Sequence, residues 1–238
     1  MKSYQIHLIR HGLTEANSDG KYIGATDVEL SDEGIKRLKN LKDNFSYPKA
    51  DKIFSSPLIR CQHTARILYP ENEVLIENDF AECNFGEWEG KSAADLKNNE
   101  NFVKWLNNSG EVTPKGGESL KGFSHRVLLA FEKLVENSVK NDYKDTVIVT
   151  HGGVIMTILA AYGLPRAKFY DWVVNNGCGY SIRIMPSLWM RQKVGEVYSK
   201  IPSDLTREND EESMYILDLV REASNAAYGD DKQHKKFL

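Results

Sequence analysis

Cysteine is scarce in this chain: three residues in 238, Cys61, Cys83 and Cys178, widely spaced and with no Cys-x-x-Cys pair. That excludes a disulfide framework and a zinc ribbon, and leaves reduced thiols that pack. No apolar run approaches the roughly 20 residues of a membrane span. The N-terminus lacks the basic region, apolar core and small-residue cleavage site of a secretory signal, so the expected location is cytoplasmic, with no membrane partner. A basic excess is missing too. With a net charge of −3 the chain gains little from counterion release, and nucleic acid is not an expected partner. Histidines and acids show no compact Asp-x-His spacing, and Arg10 and Arg60 would repel a dication, which argues against a metal site. There is no internal repeat and no low-complexity tract.

What is present is an ordinary globular composition, 41% hydrophobic and 27% charged in 27.1 kDa, enough for one large domain. Its organising stretch is His7-Leu8-Ile9-Arg10-His11-Gly12. The apolar run from Tyr4 to Ile9, bounded by Gly12, reads as a buried strand breaking into a loop. Arg10 and His11 then stand where a strand ends, and in open α/β sheets ligands bind outside the carboxyl ends of strands. Val147-Ile148-Val149-Thr150-His151-Gly152-Gly153 repeats that design. Two strands thereby bring two histidines to one sheet edge.

Between and around them, strands alternate with helices, which predicts an α/β fold: a mostly parallel central sheet with helices on both faces. Ser31 caps a helix carrying Ile35, Leu38, Leu41 and Phe45 at helical spacing. Lys52 to Ser55 is a short strand. Ser56 as N-cap and Pro57 at the first helical position then start a helix with Arg60 in its first turn. Val74 to Ile76 is a weaker strand. Residues 79–118 read as irregular, a lid or insertion. A long helix spans Ser119 to about Asn141, another begins near Gly153, and strands are expected at Tyr180 to Ile184 and Leu188 to Val197.

From Ser203 the composition shifts to nine acidic and five basic residues, leaving the first 202 residues with 25 and 26. Met214, Leu217, Val220, Ala223 and Ala227 fall at helical spacing. The expectation is a domain over 1–202 and an acidic helical extension over 203–238 that docks on the core or on a second subunit, which leaves a homodimer open.

Five separated motifs carry a resemblance. They are Arg10-His11-Gly12-Leu13-Thr14-Glu15-Ala16-Asn17, Ser55-Ser56-Pro57-Leu58-Ile59-Arg60, Glu82-Cys83-Asn84-Phe85-Gly86-Glu87-Trp88-Glu89-Gly90, Gly116-Gly117-Glu118-Ser119 and Thr150-His151-Gly152-Gly153. Over residues 1 to about 185 the chain resembles the histidine phosphatase superfamily, which includes the phosphoglycerate mutases. The acid-bearing loop is similar to the phosphatase side of that family. Cys61 to Arg66, Phe123 to Val127 and Asn176-Gly177-Cys178 are further similar to α-ribazole-5′-phosphate phosphatases of cobalamin assembly.

The resemblance implies a phosphoglycerate mutase-like fold and hydrolysis of a small phosphomonoester, α-ribazole 5′-phosphate or a similar one, without cofactor or metal. A broad-specificity phosphatase or a mutase is the alternative within the family; a non-catalytic phosphoryl-binding module is the alternative outside it. By the same resemblance His11 is the nucleophile that becomes phosphohistidine and Glu82 the general acid. Arg10, Arg60, His151, Asn17 and Gly152 bind the phosphoryl group, with His151 the charged member of the histidine pair. The physics agrees: rigid, permanently charged guanidinium forks suit phosphate oxygens, and a cationic surround keeps an imidazole neutral and nucleophilic. The two arginines should also hold Glu82 ionised until phosphate offsets them. His7 is expected to be a hydrogen-bonded interior histidine, His63 a helix-surface residue, Glu87 and Glu89 structural loop acids, and Cys61 unreactive packing. Trp88, Trp105 and Phe102 are open between core and a stacking surface for an aromatic base.

Overall fold

The computed structural model describes residues 2–106 and 112–205. The strands are β1 (Tyr4–Arg10), β2 (Lys52–Ser55), β3 (Val74–Ile76), β4 (Asp145–Thr150), β5 (Gly163–Leu164), β6 (Gly179–Ile184) and β7 (Gly195–Ile201). They form one sheet in the order β3-β2-β4-β1-β6-β7-β5. The pairs β3/β2, β2/β4, β4/β1 and β5/β7 are parallel, and β6 runs antiparallel to both its neighbours. The helices are α1 (Glu15–Ser18), α2 (Asp32–Asn44), α3 (Ile59–Leu68), α4 (Ala93–Leu96), α5 (Glu100–Leu106), α6 (Leu120–Asn141), α7 (Gly152–Tyr162) and α8 (Pro186–Gln192).

Alternation along the central strands divides the core between the two faces. Ile6, Leu8 and Ile148 bury with Phe123, Val127 and Phe131 of α6 and Ile155 and Ile158 of α7. Ile9, Val147 and Val149 point the other way, against Leu38 of α2 and Cys61, Ala65 and Leu68 of α3. Fully burying an aliphatic side chain of this size contributes roughly 1.5–3 kcal/mol, so the parallel strands are held rigid from both sides. The α/β expectation with helices on both faces is met.

Three local readings are corrected. The helix after β2 starts at Ile59 with Leu58 as its cap, and no side chain caps it; Ser56 is engaged elsewhere. The segment Leu188 to Val197 is not one strand: Pro186 opens α8, Lys193 ends it at φ 50° and β7 begins at Gly195. Within the expected irregular segment, residues 79–106 are more ordered than expected, since α4 and α5 close a small apolar cluster of Trp88, Leu96 and Phe102. The C-terminal helix anticipated over Met214 to Ala227 lies outside the described residues. No helix among the described residues is long and apolar enough to cross a membrane.

Candidate active site

Register builds the site. Arg10 on β1 pairs with Thr150 on β4, and Ser55 on β2 pairs with Val149. The next residue of each parallel strand is therefore His11, His151 or Ser56, all at one carboxyl edge. Backbone bonds continue the ladder there, His11 N–H to Thr150 O at 2.9 Å and Ser56 N–H to Val149 O at 3.0 Å. The two imidazoles meet edge to face with ring centres 5.2 Å apart, and both are buried.

His11 Nδ1 lies 2.7 Å from Gly12 O. A carbonyl oxygen only accepts, so Nδ1 carries the proton and the neutral ring presents its lone pair at Nε2. The loop that supplies this carbonyl is fixed: Gly12 N–H donates to Thr64 Oγ1 at 2.9 Å, and Asn176 Nδ2 donates to His11 O and Gly12 O at 3.0 and 3.2 Å. Burial, then the charges of Arg60 and Arg10, hold His11 well below the usual histidine pKa, against the opposing pull of the Gly12 carbonyl. His11 is neutral near pH 7.

Arg10 leans past Gly152, where an added Cβ would sit 3.6 Å from Arg10 Nε, and its Nη1 donates to Val174 O at 2.7 Å. Arg60 is buried and donates Nη1 to Thr26 O at 2.9 Å and Nη2 to Gly24 O at 2.8 Å. That loop is itself gripped by Glu89, whose carboxylate accepts N–H bonds from Gly24, Ala25, Thr26 and Phe85 at 3.0–3.2 Å. Burial pushes the Glu89 carboxyl up, but the bonds from Thr26, Phe85 and Gly24 outweigh it and the pKa is lowered. Gly24 is required by close approach, since a Cβ there would fall 1.6 Å from Cys83 O.

Glu82 accepts N–H bonds from Cys83 and Gly153, both at 3.0 Å. Burial raises the Glu82 pKa, outweighing the two N–H bonds and both arginines, so the carboxyl is shifted toward its protonated form even without phosphate, opposite to the direction the arginines alone would give. His151 is corrected from charged to neutral near pH 7: burial, Arg60, His11 and Arg10 all push its pKa well below the ordinary value.

Arg10, His11, Arg60, Glu82, His151 and Gly152 thus converge on one edge. Asn17 joins them through its oxygen, which accepts from Thr14 N, Thr14 Oγ1 and Asn176 Nδ2 at 3.0–3.3 Å. His7 is an interior histidine as expected, with Nδ1 2.9 Å from Ser181 Oγ and Nε2 3.3 Å from Asp145 Oδ1. Cys61 packs under His151 with its thiol pushed up to about 12 by burial, which makes it inert. His63 is half-buried on α3, and Glu87 is exposed while Glu89 makes the loop contacts. Trp88 and Phe102 are buried core, whereas Trp105 and Tyr22 are partly exposed with ring centres 6.3 Å apart.

Sequence reasoning missed Ser56, whose Oγ is 2.7 Å from His151 Nε2; the Ser-Pro pair read as a helix cap. It named Asn176 and Thr64 only within resembling segments and missed their bonds to the His11–Gly12 loop, for which no local signal exists. Among the described residues no group of three or more histidines, cysteines and acids could hold a metal ion.

The sequence profile of the histidine phosphatase superfamily, branch 1, matches residues 6–196. The chain belongs to that superfamily. A histidine phosphatase relative, the adenosylcobalamin/alpha-ribazole phosphatase of Escherichia coli K12, is 32% identical over 185 residues, 76% of this chain and 90% of that protein. Phosphoserine phosphatase 1 of Hydrogenobacter thermophilus is 33% identical over 181 residues, 74% of this chain and 83% of that one. Among solved structures, the alpha-ribazole phosphatase from Shigella flexneri superposes with a TM-score of 0.67 at 32% identity, covering 82% of this chain and 94% of that one. The five motifs that carry the histidine phosphatase resemblance are the segments that surround this sheet edge.

Proposed function

We propose that this phosphatase hydrolyses a small phosphomonoester through a phosphohistidine at His11, with α-ribazole 5′-phosphate as its substrate. The observation that carries the chemistry is the Nδ1–H···O bond from His11 to Gly12, which leaves Nε2 as an unprotonated nucleophile among guanidinium groups. Nε2 attacks phosphorus as the bond to the leaving alcohol breaks, and Glu82, whose carboxyl pKa is raised by burial, gives its proton to that alcohol. Water then attacks the phosphohistidine, Glu82 takes the water's proton, and phosphate departs from a restored His11.

Arg10 and Arg60 stabilise the charge on the transferring phosphoryl oxygens. With its oxygen held by three donors, Asn17 turns its Nδ2 to the same oxygens. His151 adds a neutral donor, fixed by Ser56, and the Gly152 N–H stands at the start of α7 beside Arg10. Two arginines already supply the positive charge that a metal would bring, so no metal is required. Dialysis against a chelator should leave turnover unchanged; loss restored by one divalent ion would contradict this.

The substrate reading draws support from the alpha-ribazole phosphatase relatives and from Tyr22 and Trp105, whose partly exposed rings both pack against Phe85 of the acid-bearing loop. The test is kcat/KM across α-ribazole phosphate, phosphoserine, 3-phosphoglycerate and fructose phosphates. Preference for α-ribazole phosphate is expected; equal rates on all four would make the chain a broad-specificity phosphatase, and transfer to a second hydroxyl a mutase.

A further inference from the structure

The Gly-Gly-Glu-Ser motif and the arginine about two helical turns beyond it have no part in the chemistry above, yet they meet beneath Glu82. Arg126 of α6 donates Nε to Glu118 Oε1 at 2.8 Å and Nη2 to Glu118 Oε2 at 2.9 Å. Its other bonds go to carbonyls of the stretch that leads into Glu82: Nη1 to Asp79 O and to Ala81 O, both 2.8 Å, and Nη2 to Glu82 O at 3.0 Å. All five N–H donors of the guanidinium are therefore committed. The same plane lies over the Phe123 ring at 5.1 Å. The remaining carbonyl of the stretch, Phe80 O, accepts from Thr150 Oγ1 at 2.8 Å, next to His151.

Every carbonyl from Asp79 to Glu82 is thus held by one of two side chains, and three of the four by one rigid fork. A short 3-10 turn, Asn78–Phe80, and the residues that follow it are thereby fixed, and the Glu82 side chain leaves them at a set point. We propose that Arg126, oriented by Glu118, is a positioning residue that places the Glu82 carboxyl at the leaving-group oxygen. This rests on Glu82 being the general acid. Lysine cannot replace the fork: its single ammonium has three donors and no planar geometry to bridge a carboxylate and three carbonyls.

The test uses the full chain with Arg126→Lys, Glu82→Gln and the double variant, each assayed on an alkyl phosphate and on p-nitrophenyl phosphate, whose leaving group needs no acid. Displacing a catalytic group by about 1 Å costs on the order of a hundredfold. Arg126→Lys is therefore expected to lose roughly tenfold to a hundredfold in kcat on the alkyl ester, with at most about a threefold loss on the aryl ester. In the Glu82→Gln background it should add almost nothing on the alkyl ester. Equal losses on both esters, or full additivity with Glu82→Gln, would overturn the proposal and make Arg126 a structural residue. If Glu82→Gln alone shows no leaving-group selectivity, the general-acid reading falls first, and the positioning role with it. Should Arg126→Lys fail to fold by circular dichroism, Glu118→Gln keeps the carbonyl bonds while weakening the anchor. The same selectivity at smaller size is expected from it, and unselective loss would overturn the proposal.

Discussion

Replacing Glu89 by glutamine should weaken phosphate binding through Arg60, although Glu89 itself need not touch substrate. Its Oε1 accepts from Gly24, Ala25 and Phe85, and its Oε2 from Gly24 and Thr26. Glutamine can keep one oxygen, which retains the first three contacts, but its NH2 then faces the Thr26 N–H, donor against donor. Thr26 O is the acceptor for Arg60 Nη1, so the disturbance arrives at the guanidinium. Thr26 is exposed, so water can meet its N–H, and losing the one bond costs about 0.5–1.5 kcal/mol of stability. A tilt of the Arg60 fork should raise the inhibition constant of inorganic phosphate by roughly tenfold, about 1.4 kcal/mol. The sign with pH follows from the lowered pKa of Glu89. Its stabilisation is present above the unfolded value of about 4.3 and disappears as pH falls through the depressed folded value, so wild type and Glu89→Gln should converge in acid. The assays are urea unfolding at several pH values and competitive inhibition by phosphate. A variant that loses stability yet binds phosphate like wild type would refute the link to Arg60.

Two further outcomes are expected. Ser56→Ala removes the partner of His151 Nε2 and should lower kcat/KM by about tenfold or more through loss of ring orientation, with turnover measured per folded molecule; an unchanged value would show that Cys61 and packing alone hold the ring. His11 and His151 are held neutral in the folded state, and His7 is shifted the same way by burial. The unfolded chain takes up protons below pH about 6.5 that the folded chain refuses, so stability should fall as pH drops from there, by up to about 1.4 kcal/mol per histidine and pH unit. Glu82, with its raised pKa, opposes this modestly. Denaturation midpoints at pH 7.5 and 5.5 would show it, and equal midpoints would contradict it.

Much of the site was legible because β-branched runs and glycine breaks are local signals. Val147 to Thr150 announced both a strand and the place where His151 leaves it, and the same pattern located Arg10 and His11. What could not be read was long-range partnership. Ser56 looked like a helix cap, since Ser-Pro before an apolar run signals one; its bond to His151, 95 positions away, depends on β2 and β4 lying side by side. Glu89 and Arg126 act on loops distant in sequence for the same reason. The direction of the Glu82 shift was misjudged because counting neighbouring arginines ignores burial, a property of the packed sheet edge; His151 was read as charged although burial and the arginines both push it toward neutral. Pro186 was a visible helix start that the apolar stretch following it obscured.

The central claim is that His11 carries the phosphoryl group. Rapid acid-free quenching of the enzyme with phosphorus-labelled substrate, followed by peptide mapping, tests it most directly. The account predicts base-stable, acid-labile phosphate on the peptide that contains His11, formed within one turnover and absent from His11→Ala. Label on another residue, or near-normal turnover by His11→Ala, would contradict it.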